Sequence, residues 1–223
     1  MITFQGVYKY YSGVAVLQNV SFSIDKGELV FITGPSGAGK TTLLKLVFGS
    51  EFPDEGEVKV ANFELSSIRQ REIPLLRRVV TFVFQDFRLR QDLTVFDNIA
   101  LPLRILGEKE RDIKPRVLEV LKNLSLRHKA DSIVKTLSGG EQQKVAIARA
   151  IITNPQIVLA DEPTGNLDPH ASQDIINLFR RINTMGCTVV IATHNSEFFK
   201  NKQNRVLTLR EGRIYEDSPT ISN

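Results

Sequence analysis

A glycine-rich stretch, TGPSGAGKTT at residues 33–42, constrains this sequence more than any other feature. It continues the apolar run ELVFIT (28–33) and leads into TTLLKLVFG, which has the pattern of a helix. Glycines permit positive φ and let backbone N–H groups approach a phosphate without a Cβ in the way. The spacing fits G-x-x-x-x-G-K-[ST], a loop that holds nucleotide phosphates at a helix N-terminus. The predicted phosphate-binding residues are Gly34, Pro35, Ser36, Gly37, Ala38, Gly39, Lys40, Thr41 and Thr42.

Two residues of this loop have specific predicted roles. Lys40 can reach the β- and γ-phosphates, and the Thr41 hydroxyl can ligate Mg²⁺. The alternative interpretation is a glycine-rich turn with a surface lysine, but the flanking strand and helix patterns argue against it. The loop alone does not imply hydrolysis, because a small-molecule kinase would carry the same loop.

Four short apolar runs indicate buried strands of a parallel sheet, and they lie at 28–33, 79–85, 156–161 and 187–194. Each run is apolar on both faces, as is typical of strands covered by helices on both sides. Helical patterns separate the runs, which favours an α/β fold with crossover helices. Ligands of open α/β sheets bind beyond the carboxyl ends of the strands. The polar residues that end the four runs, and that we expect at one edge, are Thr33, Gln85, Asp161 and His194.

The two ends of the chain have a different pattern. FQGVYKYY and NVSFSID, within the first 25 residues, alternate with period two and predict antiparallel strands. RVLTLREGRIYE (205–216) predicts a hairpin that turns at Glu211-Gly212. The middle of the chain, roughly 88–137, predicts a helical insert. Its clearest helix starts near Asp112, has Pro115 in its first turn and places Ile113, Val117, Leu121 and Leu124 on one face.

The pair Asp161-Glu162 indicates hydrolysis. Asp161 ends an apolar strand, where a carboxylate can hold Mg²⁺ through water. Glu162 would point differently and can orient or deprotonate an attacking water, an effect typically worth about 10²–10⁴-fold. The competing interpretation is an acidic turn. Gln85 can ligate metal or position water, and His194 can donate a hydrogen bond to a γ-phosphate. The predicted catalytic residues are therefore Glu162, His194 and Gln85. The predicted metal ligands are Thr41, Gln85 and Asp161.

A second candidate anion site lies in LSGGEQQKVAIARAI at 137–151. Ser138 and Glu141 have the spacing of a capping box, so a helix is expected to begin there. Gly139 and Gly140 lower helix propensity, which indicates close approach to another group. The alternative is simply a well-capped helix.

Composition excludes several classes of protein. Of the 223 residues, 42% are apolar and 24% charged, as in ordinary globular domains. No apolar run approaches the roughly 18 residues of a membrane helix, and no signal peptide is expected. Cys187 is the single cysteine, so a disulfide framework is excluded, and its apolar neighbours predict a small core residue. The net charge of +4 comes from scattered basic residues, which favours a solvated surface.

Together the motifs resemble those of the ABC-type ATPases. LSGGEQ is similar to the signature loop of that family, and the other motifs occur in its order and approximate spacing: the glycine-rich loop, Gln85, Asp161-Glu162, GNLD at 165–168 and His194. The resemblance implies an α/β P-loop NTPase fold of the ABC ATPase type, with a RecA-like parallel-sheet core, an antiparallel β subdomain and a helical insert. It implies a single domain over 1–223, with a catalytic core of 1–87 and 139–223 and a helical subdomain of about 88–138.

The resemblance also implies ATP and Mg²⁺ as cofactors and an ATP-dependent, head-to-tail homodimer. In such a dimer the glycine-rich loop of one subunit faces the signature residues of the other, which here are Ser138, Gly139, Gly140 and Glu141. Tyr11 matches the aromatic residue that stacks on adenine, although Tyr8 and Tyr10 are close enough to leave the choice open. Asp168 matches the aspartate that links the two sites, and Asp168-Pro169 also has the pattern of a helix start.

Within the family, ADEPTGNLD, LSGGEQQKVAIARA and the stretch at 71–107 are similar to bacterial cell-division ATPases. This implies ATP hydrolysis coupled to an integral membrane partner resembling FtsX, which regulates cell-wall hydrolases. The alternative is an ATPase of lipoprotein release or small-molecule export. Both place the chain at the cytoplasmic face of the inner membrane as a peripheral protein. No nucleic-acid partner is expected, because members acting on nucleic acid carry two cassettes or a long coiled-coil insertion.

Two further expectations follow from the resemblance. Residues 86–104 correspond to the region that contacts a membrane partner, and the alternative is that each apolar side chain there belongs to the core of the insert. Lys144 stands where the subgroup more often has arginine, and the two residues differ at a bidentate site. The apolar residues considered as partner contacts are Phe87, Leu89, Leu93, Val95 and Phe96.

Overall fold

The computed structural model describes residues 1–200 and 204–218. The strands are β1 (Ile2–Tyr11), β2 (Val14–Ile24), β3 (Leu29–Thr33), β4 (Glu55–Val60), β5 (Phe63–Glu64), β6 (Val80–Val83), β7 (Ile157–Asp161), β8 (Thr188–Ala192), β9 (Arg205–Arg210) and β10 (Arg213–Ser218). The helices are α1 (Lys40–Val47), α2 (Ile73–Val79), α3 (Val95–Ile105), α4 (Glu110–Asn123), α5 (Gly139–Ile151) and α6 (Pro169–Thr184).

Six strands form the central sheet, in the order β10-β9-β3-β8-β7-β6. The strands β9, β3, β8, β7 and β6 run parallel, and β10 pairs antiparallel with β9 at one edge. The predicted hairpin turns at Glu211 and Gly212, which both have positive φ, 48° and 74°. A two-residue turn of this kind matches the twist of the strands that it joins.

A second, antiparallel sheet has the order β2-β1-β4-β5. The strands β1 and β2 pair from Ile2–Ile24 to Tyr11–Val14, as their period-two pattern predicts. The sequence pattern does not predict β4 or the two-residue β5. The combination of this sheet with the parallel sheet gives an α/β architecture with an antiparallel β subdomain, as expected from the sequence.

The central sheet separates two hydrophobic cores. Successive residues of a strand point to opposite faces, and β3 illustrates this, since Phe31 packs among the helices α3 to α6 while Val30 and Ile32 face α1 and the antiparallel sheet. Cys187 packs half-buried against the first core, and burial raises its pKa to about 11. Because both faces are covered, the ligand-accessible positions of the central sheet are its strand ends.

The middle of the chain is helical, as predicted, but one boundary was wrong. The helix α4 begins at Glu110 rather than near Asp112, so Pro115 lies in the second turn and not in the first. Lys109 has extended backbone as the N-cap, and two acidic residues follow in the first turn, where the helix dipole favours negative charge. The four residues expected on its inner face are all buried.

The division into a core of 1–87 and 139–223 and a subdomain of about 88–138 stays a prediction, and its residues 201–203 and 219–223 lie outside the described part. Over residues 1–200 and 204–218, none of the helices has both the length and the apolar character needed to cross a bilayer.

Candidate nucleotide-binding site

The glycine-rich loop connects the end of β3 to the start of α1. Gly34 and Gly39 have φ of 147° and 104°, which side chains rarely tolerate. A Cβ on Gly34 would overlap the carbonyl oxygen of Leu209, and one on Gly39 would lie 2.8 Å from Cδ2 of Leu17. Both positions therefore require glycine for backbone conformation and for space.

Lys40 points back into this loop. Its Nζ donates to the carbonyl oxygens of Gly34 and Pro35, at 2.8 and 3.1 Å, and the residue is 9% exposed. The loop thus carries a buried positive charge next to a cavity of about 460 Å³, which is lined by Tyr11, Val16, Ser36 to Thr42, Gln85, Asp161 and Glu162. Phosphate groups fit a cavity with a cation and a helix N-terminus in its wall.

Tyr11 is the tyrosine that reaches this cavity. Tyr8 and Tyr10 stack on each other with ring centroids 6.2 Å apart, and neither lines it. The Tyr10 hydroxyl instead donates to Oε1 of Glu55 at 3.2 Å. The geometry therefore favours Tyr11 among the three candidates for an adenine contact.

Thr41, Gln85 and Asp161 line both this cavity and a larger one of about 840 Å³ beside it. The Thr41 hydroxyl donates to Oδ2 of Asp161 at 2.8 Å. Burial raises the pKa of Asp161 and the nearby Glu162 carboxylate adds to this effect, while the Thr41 hydrogen bond opposes it. A hydroxyl, an amide and a carboxylate supply the hard oxygen atoms that Mg²⁺ prefers, so the three residues fit this metal.

Glu162 follows Asp161 but turns its side chain away. Its φ is 45°, and its N–H donates to the carbonyl oxygen of Ala192 at the end of β8. Nδ1 of His194 lies 2.9 Å from Oε1 of Glu162, at hydrogen-bond distance. The left-handed backbone thus separates two adjacent carboxylates, one directed to Thr41 and the other to His194.

Gln85 lies two residues beyond the end of β6, in an exposed loop. Its side chain reaches Gly165 of the GNLD segment, since a Cβ added there would lie 3.1 Å from Nε2 of Gln85. The lack of a side chain at Gly165 therefore leaves space for the predicted metal and water ligand.

The signature segment begins α5 with a complete capping box. Oγ of Ser138 accepts from the Glu141 N–H at 3.3 Å, and Oε2 of Glu141 accepts from the Ser138 N–H at 2.9 Å. The bond from the Ser138 N–H lowers the pKa of Glu141. A Cβ on Gly139 or Gly140 would lie 3.3 Å from side-chain atoms of Leu167 and Ala171, so the predicted close approach is to the GNLD segment and the start of α6.

The sequence family described as ABC transporter matches residues 17–165, two thirds of the chain. The chain belongs to the ABC transporter family. It is 47% identical over 218 residues to the cell division ATP-binding protein FtsE of Bacillus subtilis, covering 97% of this chain and 96% of that protein. The FtsE proteins of Mycobacterium tuberculosis and Escherichia coli K12 are 47% and 45% identical, covering 97% and 96% of this chain and 95% and 97% of theirs.

Solved structures agree with the family assignment. The ATP-binding cassette MJ0796, described as a dimer in a post-hydrolysis state bound to ADP and Pi, matches over the full length of both chains with a TM-score of 0.88 and 35% identity. The cassette cbiO1 from Clostridium perfringens matches with a TM-score of 0.90 and 28% identity, covering 97% of this chain and 87% of that one. These findings confirm the predicted ATP-binding and ATP-hydrolysing enzyme.

The ABC ATPase chain brings one group of the predicted site residues together and leaves another apart. The glycine-rich loop, Tyr11, Gln85, Asp161 and Glu162 share one cavity, and His194 reaches it through Glu162. The signature residues Ser138, Gly139, Gly140 and Glu141 line neither cavity, and neither does Asp168. Asp168 instead caps α6, with Oδ1 accepting from the Ala171 N–H at 2.9 Å.

Some residues of the ABC ATPase were assigned differently by the structure or were missed. Leu89 and Val95, considered as partner contacts, are buried, so the core interpretation holds for them. Phe87, Leu93 and Phe96 are partly buried. The sequence motifs do not point to three further groups of residues. Ile105 and Leu106 are exposed at the end of α3. Lys45, Arg77 and Arg88 lie in the wall of the larger cavity, and Arg149 lies near the end of α5. No local motif marks any of them. Lys144 lies 3.5 Å from Asp174 in a surface ion pair.

Proposed function

We propose that this ABC ATPase is the ATP-hydrolysing subunit of a membrane complex in bacterial cell division. The observation that carries the proposal is an identity of 45–47% over 96–97% of the chain with the FtsE proteins of three bacteria. The motifs of the site and the stretch at 71–107 resemble the same group of ATPases.

The proposed binding role of the first group of residues follows from their positions. The glycine-rich loop and Lys40 hold the phosphates, and Tyr11 stacks on the adenine. Thr41, Gln85 and Asp161 would hold Mg²⁺, which would neutralise negative charge on the phosphates. The Thr41 hydroxyl and the Asp161 carboxylate are already within 2.8 Å of each other, so little rearrangement is needed.

Hydrolysis is assigned to Glu162, with His194 and Gln85 in support. The Glu162 carboxylate accepts a proton from water, whose oxygen attacks the γ-phosphorus while the bond to the bridging oxygen breaks and ADP leaves. His194 holds Glu162 through the 2.9 Å contact, and it donates to the γ-phosphate when its ring N–H turns from Glu162 to bound ATP. Gln85 positions the attacking water and would also be a ligand of the metal. The geometry supports a base that is directed away from Asp161 and therefore separate from the metal-binding oxygen atoms.

We infer that the signature residues act on a second copy of the chain. Ser138, Gly139, Gly140 and Glu141 sit at the N-terminus of α5 but line no cavity with their own glycine-rich loop. We propose a head-to-tail homodimer, in which each signature segment meets the ATP bound by the other subunit and Asp168 lies at the interface. The proposal is supported by the dimeric state described for MJ0796. Closing the dimer around ATP and opening it after hydrolysis is the mechanical output.

We further propose that this output is delivered to an integral membrane partner resembling FtsX, which regulates cell-wall hydrolases. The ATPase then lies peripherally at the cytoplasmic face of the inner membrane. The proposed contact region is 86–104, extended by the exposed Ile105 and Leu106 at the end of α3.

The test uses the Glu162→Gln protein, which should bind ATP, form a long-lived dimer and hydrolyse ATP about 10²-fold or more slowly than wild type. Solubilised membranes are passed over the immobilised variant with ATP, and captured proteins are identified by mass. Glu119→Gln, on the exposed side of α4, is the control for loss of a carboxylate and should keep the wild-type rate.

Capture of a four-span protein with a large outer loop supports the cell-division proposal. Capture of a lipoprotein-release permease or a multi-span exporter assigns the chain to transport and leaves the ATP chemistry standing. Wild-type hydrolysis rates in Glu162→Gln would contradict the assignment of the base. Lys40→Ala, which should not bind ATP, identifies proteins captured without nucleotide.

A further inference from the structure

The loop that carries Gln85 has an unusual backbone. Phe87 and Arg88 have φ of 58° and 49°, two consecutive left-handed residues without a glycine. The Arg88 N–H donates to the carbonyl oxygen of Asp86 at 2.6 Å, closing a three-residue turn with positive φ at its centre, a rare and strained type. A bulky residue such as Phe87 disfavours this conformation, which persists only where the surroundings hold it.

Arg149 supplies this support from near the end of α5. Its Nη1 donates to the carbonyl oxygen of Arg88 at 2.6 Å, and its Nη2 donates to that of Phe87 at 2.9 Å. The planar guanidinium offers two parallel donors, which match two successive carbonyl groups in a way that a lysine ammonium does not. The two oxygens that the strained turn directs towards α5 are therefore held by one side chain.

Other contacts of the turn are weaker. Arg88 pairs with Asp86, but both side chains are more than half exposed, where an ion pair contributes little. The Arg88 guanidinium also lies 3.7 Å from the ring centroid of Phe84, at the surface. Arg149 is by contrast half-buried, and burial lowers its pKa with no contribution from a carboxylate in the described part of the chain. A charge held in this way, by backbone carbonyls alone, indicates a role beyond a general surface contact.

We propose that Arg149 is a positioning residue for Gln85. By fixing the turn at Phe87-Arg88, it holds the loop in the conformation that keeps the Gln85 amide against Gly165 at the edge of the metal-binding cavity. The inference rests on the proposed role of Gln85 in hydrolysis. Arg149 itself lines neither cavity, so its effect on turnover is transmitted through the loop.

The test compares Arg149→Ala, Arg149→Lys, Gln85→Ala and the double variant Gln85→Ala/Arg149→Ala in the full-length protein. ATPase kcat, KM for ATP and the Mg²⁺ concentration for half-maximal activity are measured for each. Arg149→Ala should lower kcat by about tenfold or more and raise the Mg²⁺ requirement, with KM for ATP changed by less than about threefold. Arg149→Lys should recover part of kcat, because the single ammonium nitrogen can bond one of the two carbonyl oxygens but does not match both as the planar guanidinium does.

The double variant decides whether Arg149 acts through Gln85. If it does, adding Arg149→Ala to Gln85→Ala should lower kcat by less than about twofold, because coupled residues are not additive. A second readout needs no turnover. Hydrogen exchange of residues 84–90 in the nucleotide-free protein should be faster in Arg149→Ala than in wild type.

Arg116→Ala is the matched control. Arg116 is also a half-buried arginine that donates to a backbone carbonyl at the end of α5, that of Ile152, at 2.6 Å, and it does not contact residues 84–88. It should change thermal stability to a similar degree while leaving kcat and the exchange of residues 84–90 unchanged.

Three outcomes would overturn the inference: losses that multiply in the double variant, an equal loss of kcat in Arg116→Ala, or unchanged exchange in Arg149→Ala. Full kcat in Gln85→Ala would also overturn it, while ATP hydrolysis by wild type and its loss in Glu162→Gln would keep the proposed function intact.

Discussion

The N-termini of α1 and α5 both follow glycines and both are proposed to face phosphate, yet they are built in opposite ways. The loop before α1 has positive φ at Gly34 and Gly39, and α1 has no side-chain cap. The helix α5 starts from Ser138 in a regular capping box, and its glycines have ordinary φ. The first site is strained, and because the N–H groups of α1 have no side-chain cap, they are free to bind phosphate within one chain. The second site is relaxed, and in the proposed homodimer it meets phosphate only in a second copy of the chain.

The comparison predicts that ATP affinity depends on the first site alone. Lys40→Ala should weaken ATP binding by about 10²-fold or more, because a buried charge that is proposed to bond the phosphates is lost. Lys144→Ala, on α5 and paired with Asp174 at the surface, is the matched control and should leave the affinity unchanged. Binding is measured with a fluorescent ATP analogue. Retained affinity in Lys40→Ala would contradict the assignment of the phosphate site.

The glycines should separate the two sites by stability. Gly34→Ala introduces both a disfavoured φ and an overlap with the carbonyl of Leu209, and should lower the free energy of unfolding by about 2–4 kcal/mol. Gly139→Ala meets the flexible end of Leu167 at 3.3 Å and the carbonyl oxygen of Asn166 at an ordinary 3.9 Å, in a helical backbone, and should change stability by less than about 1 kcal/mol. Hydrolysis should nevertheless fall in Gly139→Ala, because the approach of the partner nucleotide is obstructed.

Denaturant unfolding checks the stabilities, and phosphate release checks the rates. Equal destabilisation by the two substitutions would remove the distinction between a strained and a relaxed site. A fully active Gly139→Ala protein would argue against a signature segment that approaches phosphate closely.

The cap of α5 has a smaller expected effect on stability. Ser138→Ala should lower the free energy of unfolding by about 1 kcal/mol, because the Glu141 N–H loses its acceptor. Ser138→Asp should restore stability, since aspartate caps as well as serine, but should not restore ATP hydrolysis, because a carboxylate would face the γ-phosphate. Thermal unfolding and ATPase assays on both variants test this, and an active Ser138→Asp would place the segment away from phosphate.

The smallest expected effect concerns Asp161 and pH. Burial raises its pKa, so ionisation of this carboxyl destabilises the metal-free protein at neutral pH. The stability that the neutral carboxyl contributes is lost as pH rises from the ordinary pKa of aspartate through the raised pKa of Asp161. Asp161→Asn should therefore raise Tm by roughly 2 °C at pH 7 without Mg²⁺, and this gain should shrink towards pH 4. With Mg²⁺ and ATP the wild type should be the more stable, and differential scanning calorimetry compares the two.

How much of the molecule the sequence predicts depends on the range of the interactions involved. The glycine-rich loop, the strand-end residues Asp161 and Glu162, and the capping box at Ser138 were predictable because each depends on neighbours within a few positions. The start of α4 was misplaced by two residues because the choice of cap depends on a small energy difference between adjacent residues.

Contacts between distant segments could not be predicted in this way. Close approach at Gly139 was expected, but its neighbour Leu167 depends on how α5 and α6 pack. Arg149 looks like any helical arginine until the loop after β6 is placed beside it. The buried Leu89 and Val95 could not be distinguished from exposed partner contacts, because their pattern fits both an inner and an outer face.

The helix α5 carries the signature segment at one end and Arg149 near the other, about 16 Å apart at the rise of an α-helix. In the proposed homodimer, the N-terminus of each α5 would contact the nucleotide of the other subunit. Arg149, near the C-terminus of the same helix, would hold the Gln85 loop of its own subunit. Each α5 would then act on the active site whose Gln85 loop is held by the α5 of the other subunit. A loosening at either site would then be transmitted to the other, so the two active sites would behave as one mechanical unit.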